Sequence, residues 1–220
     1  MPAPKRKPQA TATADPQPAP VRVVHRAAEA QAQILAAVDE LFYREGARAV
    51  GVDAVVKRAG VNKMSLYRQF ESKDALLLHY LAGREQKFWA YFEASLAKHP
   101  GQPREQLLQF FIDLSARASQ HDYRGCPFVN FAVEFPDPAH PARLAVAANK
   151  SRLIARLQEL ARHTEAADAE ALANGLALLI EGAYAASQTY TPGHALIKAL
   201  PQVAKCMLDA ACGPPTESPP

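Results

Sequence analysis

The chain has 220 residues and a mass of 23.9 kDa, enough for one medium domain or a small module fused to a core of about 150 residues. An apolar content of 49% can fill a core, which excludes wholesale disorder, and no run of eighteen apolar residues is present to span a membrane. Residues 1–80 carry 12 Lys/Arg against 8 Asp/Glu and residues 81–220 carry 13 against 14, so a basic front end sits on a near-neutral body, which suits a nucleic-acid partner for the front.

Six of the 18 prolines lie in Met1–Pro20 and four in the last seven residues, leaving the middle free to be helical. Residues 1–24, with Lys5, Arg6 and Lys7, read as a disordered basic arm, and residues 213–220 as a disordered tail. No apolar stretch follows the basic start, so a secretory signal is not expected. The three cysteines (Cys126, Cys206, Cys212) are too few for a disulfide scaffold and fit a reducing cytoplasm.

Helical periodicity begins near Ala27. Ile34, Leu35, Val38, Leu41 and Phe42 recur at helical spacing through Ala28–Arg44, and Gly46 stands where a C-terminal cap belongs. Short amphipathic helices are predicted over Val52–Ala59, ended by Gly60, and over Lys63–Phe70. Ser72 is placed to cap a long helix with Leu76, Leu77, Tyr80, Leu81, Phe88, Trp89, Phe92 and Leu96 on its apolar side. Beyond Pro100-Gly101, helices are predicted over Glu105–Gln120, Pro127–Glu134, Arg143–His163 and Asp168–Thr189. Thr191-Pro192 reads as the opening of a last helix that runs to about Ala211. Period-two alternation never lasts more than a few residues, so the predicted fold is all-α with about nine helices.

The stretch Val52–Phe70 has the form of a helix-turn-helix, with Gly60-Val61-Asn62 as the turn. Its second helix divides by face: Leu66 and Phe70 point inward, leaving Lys63, Met64, Ser65, Tyr67 and Arg68 outside. Cations and hydroxyls suit phosphates, and the remaining side chains suit base edges. An ordinary amphipathic helix with a solvated polar face has the same composition.

The order Ile34-Leu-Ala-Ala, Leu41-Phe42, Gly46, Val52, Ala59-Gly60-Val61, Ser65-Leu66-Tyr67, Phe70, Ser72-Lys73-Asp74, Leu76-Leu77 resembles the tetracycline-repressor (TetR) family over Ala28 to about Leu81. The resemblance implies a three-helix DNA-binding domain over 25–72 and a helical ligand-binding and dimerisation domain over 73–212. By position it implies that Ser65, Tyr67 and Lys73 hold the DNA backbone and that Lys63, Met64 and Arg68 face base edges. Chemistry agrees: Lys73 lies in the first turn of its helix, Arg68 can fork onto a guanine, and Met64 can touch a thymine methyl. One departure concerns Val50-Gly51, where the family usually has Thr or Ser to cap the second helix. Asp53 shares that edge and repels DNA slightly, a deficit that Arg48 and the arm can offset.

In the C-terminal half, a helix over Gly125–Phe135 lines Cys126, Asn130 and Glu134 along one face and Phe128, Phe131 and Phe135 along another. Asn149, Glu181, Tyr184 and Gln188 are further polar groups on apolar helices, and Trp89, Phe92 and Phe111 supply aromatic surface. An apolar cavity with convergent polar groups suits a small, partly apolar effector, with Glu134 orienting a polar or cationic group or else paired with Arg143 or Lys150. The alternative is that these side chains cap helices or pair with basic neighbours. Ala171, Gly175, Leu178, Gly182 and Ala186 form a stripe of mostly small residues, and Leu196, Leu200, Val203 and Met207 a second apolar face; both are read as a homodimer interface, or as packing within one subunit.

No Gly-rich phosphate loop, nucleophile elbow or Cys/His cluster appears, so no catalytic residue, cofactor or metal site is predicted. Asp137-Pro-Ala-His140 and Glu159-Leu-Ala-Arg-His163 lack the spacing of a helical metal site, and Cys126 is read as a buried thiol rather than a redox sensor. The expected function is a cytoplasmic transcriptional repressor that binds a palindromic double-stranded DNA operator as a homodimer and is released by an effector, with no membrane partner. The competing reading is a helical small-molecule-binding protein or enzyme whose N-terminal helices do not read DNA.

Overall fold

The computed structural model describes residues 21–213, and the expected arm and tail otherwise lie outside the described residues. Ten helices form: α1 (Val21–Glu45), α2 (Val52–Ala59), α3 (Lys63–Gln69), α4 (Lys73–Leu96), α5 (Pro103–Ala118), α6 (Pro127–Glu134), α7 (Pro141–Arg162), α8 (Ala169–Thr189), α9 (Ala195–Lys198) and α10 (Leu200–Cys212). No strand occurs among the described residues, so the fold is all-α.

Most boundaries lie within two residues of the sequence reading, and two differ by more. Residues 21–24, assigned to the arm, belong to α1. The run 21–27 lacks Gly and Pro, so nothing stops the helix extending beyond its apolar stripe. The predicted last helix does not start at Thr191-Pro192, which form a turn with Gly193 at φ +71°. His194 caps α9 instead, accepting from the Leu196 N–H at 3.2 Å. Pro201, which has no N–H, then separates α9 from α10 and leaves the Ile197 carbonyl without its helical donor. The Ser115 hydroxyl takes that place, donating to Ile197 at 2.8 Å.

α1, α2 and α3 pack into a small head around Ile34, Val38, Phe42, Val55, Leu66 and Phe70, all buried. α4 runs out of the head into the body, where it packs on α5 and α7. α7 and α8 make the most extensive helix pair, and α10 closes the body against α5 and α8. An aromatic cluster centred on Phe92 and Phe110, with ring centroids 4.8 Å apart, fills the space between α4 and α5. One buried network joins both regions, since Phe42 of α1 meets Tyr80 of α4 edge-on at 5.5 Å and Tyr80 stacks on Phe131 of α6 at 5.5 Å. No helix among the described residues is long and apolar enough to cross a membrane.

Candidate nucleic-acid interface and effector cavity

The head presents α3 through local chemistry. Gly60 adopts φ +68°, a left-handed conformation that ends α2 and favours glycine, and the Val61 N–H returns to the Val56 carbonyl at 3.1 Å. The Asn62 side chain then caps α3, accepting from the Ser65 N–H at 2.8 Å. The sequence reading placed Asn62 in the turn and missed this role, although Asn three residues before Ser65 is a recognisable cap position. Leu66 and Phe70 are 0% and 1% exposed, which fixes the rotation of α3. Met64 and Tyr67 therefore stand out at 63% and 52% exposure, with Lys63 and Arg68 also exposed and Ser65 half-buried.

Lys63 is not free: its ammonium lies 2.7 Å from Asp53 of α2. Asp53 thus neutralises a cation on the reading face. α2 begins at Gly51 without a side-chain cap, leaving first-turn N–H groups open at the same edge. Ser72 caps α4 by accepting from the Ala75 N–H at 3.1 Å, which sets Lys73 in the first helical position beside the end of α3. Arg48 points elsewhere. Its N–H donates to Glu134 Oε2 at 2.7 Å and its guanidinium to the Glu134 carbonyl at 3.4 Å, so it joins head to body.

A cavity of about 40 Å³ lies in the body between α4, α5, α6, α7 and α8, and α1 adds Tyr43 to its wall. Cys126, Asn149 and Tyr184 line it, among the residues the sequence singled out. The others fall away for identifiable reasons. Phe92 and Phe111 are sealed in the aromatic core, both 0% exposed. Trp89 lies where α4 meets α7, under the Arg152 guanidinium at 4.5 Å, its indole N–H donating to Glu85 at 3.3 Å. Asn130 donates to the Arg124 carbonyl and accepts from Gln188, both at 3.1 Å. Glu181 lies 2.5 Å from Lys150, while Arg143 donates to the Ala132 carbonyl at 2.5 Å, so neither basic residue pairs with Glu134.

Burial pushes the Cys126 thiol above its ordinary pKa, more than the nearby Lys150 lowers it, so it is not an activated thiolate. Asp137 and His140 terminate local backbone instead of converging, accepting from the Ala139 and Ala142 N–H groups at 2.9 and 3.1 Å.

Among the cavity residues that sequence reading missed, Tyr43, Arg84, Arg117 and Tyr123 also line an adjoining surface pocket and so mark its mouth. Tyr43 is the pivotal one. Its hydroxyl accepts from the Arg124 N–H at 2.7 Å and donates to the Gly125 carbonyl at 3.4 Å, while Arg84 lies 4.3 Å above its ring. Burial raises its pKa, so it stays a neutral phenol. Tyr43 thus brings the last turn of the helix that builds the head to the cavity wall.

The outer faces of α8 to α10 expose Leu178 (74%), Leu196 (52%) and Val203 (43%), with Ala171 and Gly182 also outward. Gly175 instead faces α10, where an added Cβ meets Met207 Cε at 2.5 Å. Ala186 and Leu200 are buried inside the subunit, Ala186 beside Ala118 and Ile197.

Residues 34–80 match the family model for bacterial regulatory proteins of the tetR family, and residues 101–203 match the tetracyclin repressor-like C-terminal domain. A TetR-family transcriptional regulator from Streptomyces coelicolor is similar at 29% identity and a TM-score of 0.80, over 84% of this chain and 97% of that one. A candidate TetR transcriptional regulator from Streptomyces avermitilis is 32% identical, with a TM-score of 0.71, over 83% of this chain and 97% of that one. The TetR-family regulator CifR, solved as a cysteine mutant with a 26-base-pair operator, shares the fold at 22% identity and a TM-score of 0.69, over 82% of this chain and 95% of that one. No curated protein matches. With the outward face of α3, matches over both halves of the chain and the 32% identity, the chain belongs to the TetR family of DNA-binding transcriptional regulators.

Proposed function

We propose that the protein is a cytoplasmic repressor that binds a palindromic operator as a homodimer and is released by a small effector held in the body. The observation that carries this reading is the position of Tyr43, which lines the cavity and at the same time belongs to the helix that builds the head. In this reading residues 25–72 bind DNA and residues 73–212 bind ligand and partner. Ser65, Tyr67 and Lys73 hold phosphates, and Met64, Arg68 and a Lys63 released from Asp53 face base edges. The operator complex of CifR supports the docking of such a head on duplex DNA. No catalytic role is assigned.

The size of the cavity suggests how ligand and DNA compete. A volume of about 40 Å³ holds two or three water molecules, whereas small-molecule sites commonly occupy about 300 Å³ or more. A ligand must therefore part the walls, and the wall shared with the adjoining surface pocket is the mouth formed by Tyr43, Arg84, Arg117 and Tyr123. Displacing Tyr43 moves α1 relative to residues 124–125 and so changes the separation of the two heads in a dimer. Release of DNA then follows from a higher ligand affinity for the displaced state.

Selection of bound duplexes from a random DNA pool tests this reading. A two-fold symmetric motif with half-sites about one helical turn apart, bound with steep salt dependence, is the expected result. Recovery of no sequence preference, with a flat salt profile, overturns it.

A further inference from the structure

We propose that the cavity recognises a small anion, in chemical class a single-ring aromatic carboxylate. The inference rests on the effector reading above and gives that effector a charge. Arg84, Lys87, Arg117 and Lys150 all line the cavity, and no Asp or Glu lines it. Their counter-charges lie outside the wall and are too few. Asp39 serves both Arg84 and Lys87, at 2.9 and 2.8 Å, and Glu181 serves Lys150 at 2.5 Å. Arg117 has no carboxylate within 4.0 Å among the described residues. It lies 4.6 Å above the Tyr91 ring instead. Asp122 shares only the outer mouth with it. Four cations against these two carboxylates leave two positive charges in excess, which favours an anionic group over a neutral or cationic one.

Hydrogen-bond donors point to the same class. The Tyr91 hydroxyl is buried without a hydrogen bond of good geometry among the described residues, although Ser95 and Asp113 lie near it, and a buried donor is costly unless something accepts from it. Tyr123 and Tyr184 share the wall and are held protonated by burial, so each is a donor and not a competing anion. A carboxylate accepts from phenols and guanidinium together and satisfies both. Phe88, Phe110 and Phe128 also line the wall and supply apolar ring surface, with Asn149 a further polar group beside them. The small volume favours one ring over a fused or extended ligand. Burying an anion is unfavourable unless it is paired, and here the pair is already in place.

The test uses the full chain and a library of benzoates, phenylacetates and cinnamates, each with its primary amide and its amine counterpart, followed by calorimetry and thermal shift at pH 7.5. At least one acid is expected to bind about tenfold or more tightly than its amide, with no binding by the amine. Arg117→Gln should erase that preference while leaving affinity for the amide within about twofold, and Arg117→Lys should restore part of it. Tyr91→Phe, which removes one hydroxyl, should weaken the acid several-fold even if an Arg117 variant is poorly folded. The proposal is overturned if no acid binds, if amide or amine binds as tightly, or if Arg117→Gln and Tyr91→Phe both leave acid binding unchanged. Operator binding without ligand is measured on the same samples. If it persists while the charge preference fails, only the ligand class falls; if it is absent, the regulator reading falls whatever the acids do.

Discussion

The Arg48 N–H donates to Glu134 Oε2 across 2.7 Å, so the last residue of α6 clamps the loop that joins α1 to α2. The same carboxylate crowds Gly46: a Cβ there falls 3.0 Å from Glu134 Oε1, and the backbone holds φ +92°, which L side chains rarely adopt. Besides the Phe42–Tyr80–Phe131 contacts and the Asp39 pairs, Glu134 to Arg48 and Tyr43 to residues 124 and 125 join head to body, and both of these flank the chain that bounds the cavity.

Glu134→Gln keeps the shape of this clamp and removes its charge. The variant is expected to be about 1 kcal/mol less stable and to show faster hydrogen exchange at the Arg48 amide. Ligand affinity should change little, while the effector loses part of its power to release DNA, because a looser joint transmits less. Gly46→Ala should be costlier, at about 1–2 kcal/mol, since strain and crowding add. Unchanged protection of the Arg48 amide in Glu134→Gln would show that the bond does not hold the joint.

Much of the head was legible because its signals are local. Gly60 ends a helix, Ser72 starts one, and Leu66 and Phe70 four residues apart set the rotation of α3; none depends on a distant partner. Helix α6 was legible too, between Pro127 and Pro136. The break after Lys198 carried its signal in Pro201, but the Ser115 hydroxyl that makes it tolerable lies on α5. The cavity was legible only in part. Tyr43, Arg84, Arg117, Tyr123, Lys150 and Tyr184 come from five helices and one loop, and no periodicity marks side chains that meet only after packing. Glu134 illustrates the difficulty. A carboxylate among phenylalanines does need a partner, but the partner is a backbone N–H of the head, invisible in composition.

Tyr67→Phe and Lys73→Ala should weaken binding to all duplexes about equally, whereas Arg68→Ala should relax preference at one base pair per half-site. A base contact carries about 1–3 kcal/mol of discrimination, and a phosphate contact carries none. Asp53→Asn adds a gain of function to this series. It frees Lys63 from its 2.7 Å partner, so DNA affinity should rise and the salt slope should steepen by about one unit. Selected motifs and salt titrations of the four variants check this. A uniform loss with an unchanged motif in Arg68→Ala removes that residue from base reading.

The three thiols should differ sharply in reactivity. Cys206 is exposed on α10, Cys212 is half-buried, and Cys126 is buried with its pKa raised by desolvation. A raised thiol pKa means that less thiolate is present at pH 8, and burial blocks access as well. Iodoacetamide at pH 8 should therefore modify Cys206 first and Cys126 at least about tenfold more slowly, as read by mass spectrometry of the peptides. Raising the pH towards 9 should not bring Cys126 level with Cys206, because the folded wall still shields it. Early labelling of Cys126 would mean that the cavity opens often in the absence of ligand.

The dimer prediction turns on Gly182. A Cβ built there meets nothing within 4 Å, so a side chain at this position leaves the packing of the subunit undisturbed. Around it the outer faces of α8 to α10 expose Leu178, Leu196 and Val203, apolar side chains that a lone subunit leaves in water. Gly182→Arg places a long cation in that surface and should give monomers with an unchanged helical signal by circular dichroism. Each monomer then reads one half-site, so affinity for the full operator should fall on the order of a hundredfold or more through lost bivalency, while contact with a half-site is kept. Gly175→Leu is not an equivalent probe. A Cβ there meets Met207 Cε at 2.5 Å, so larger side chains disturb α10 before they reach any partner. Light scattering on both variants separates the cases: loss of dimer in Gly182→Arg with full helicity supports the interface on α8, and a dimer that survives the arginine places it on another face.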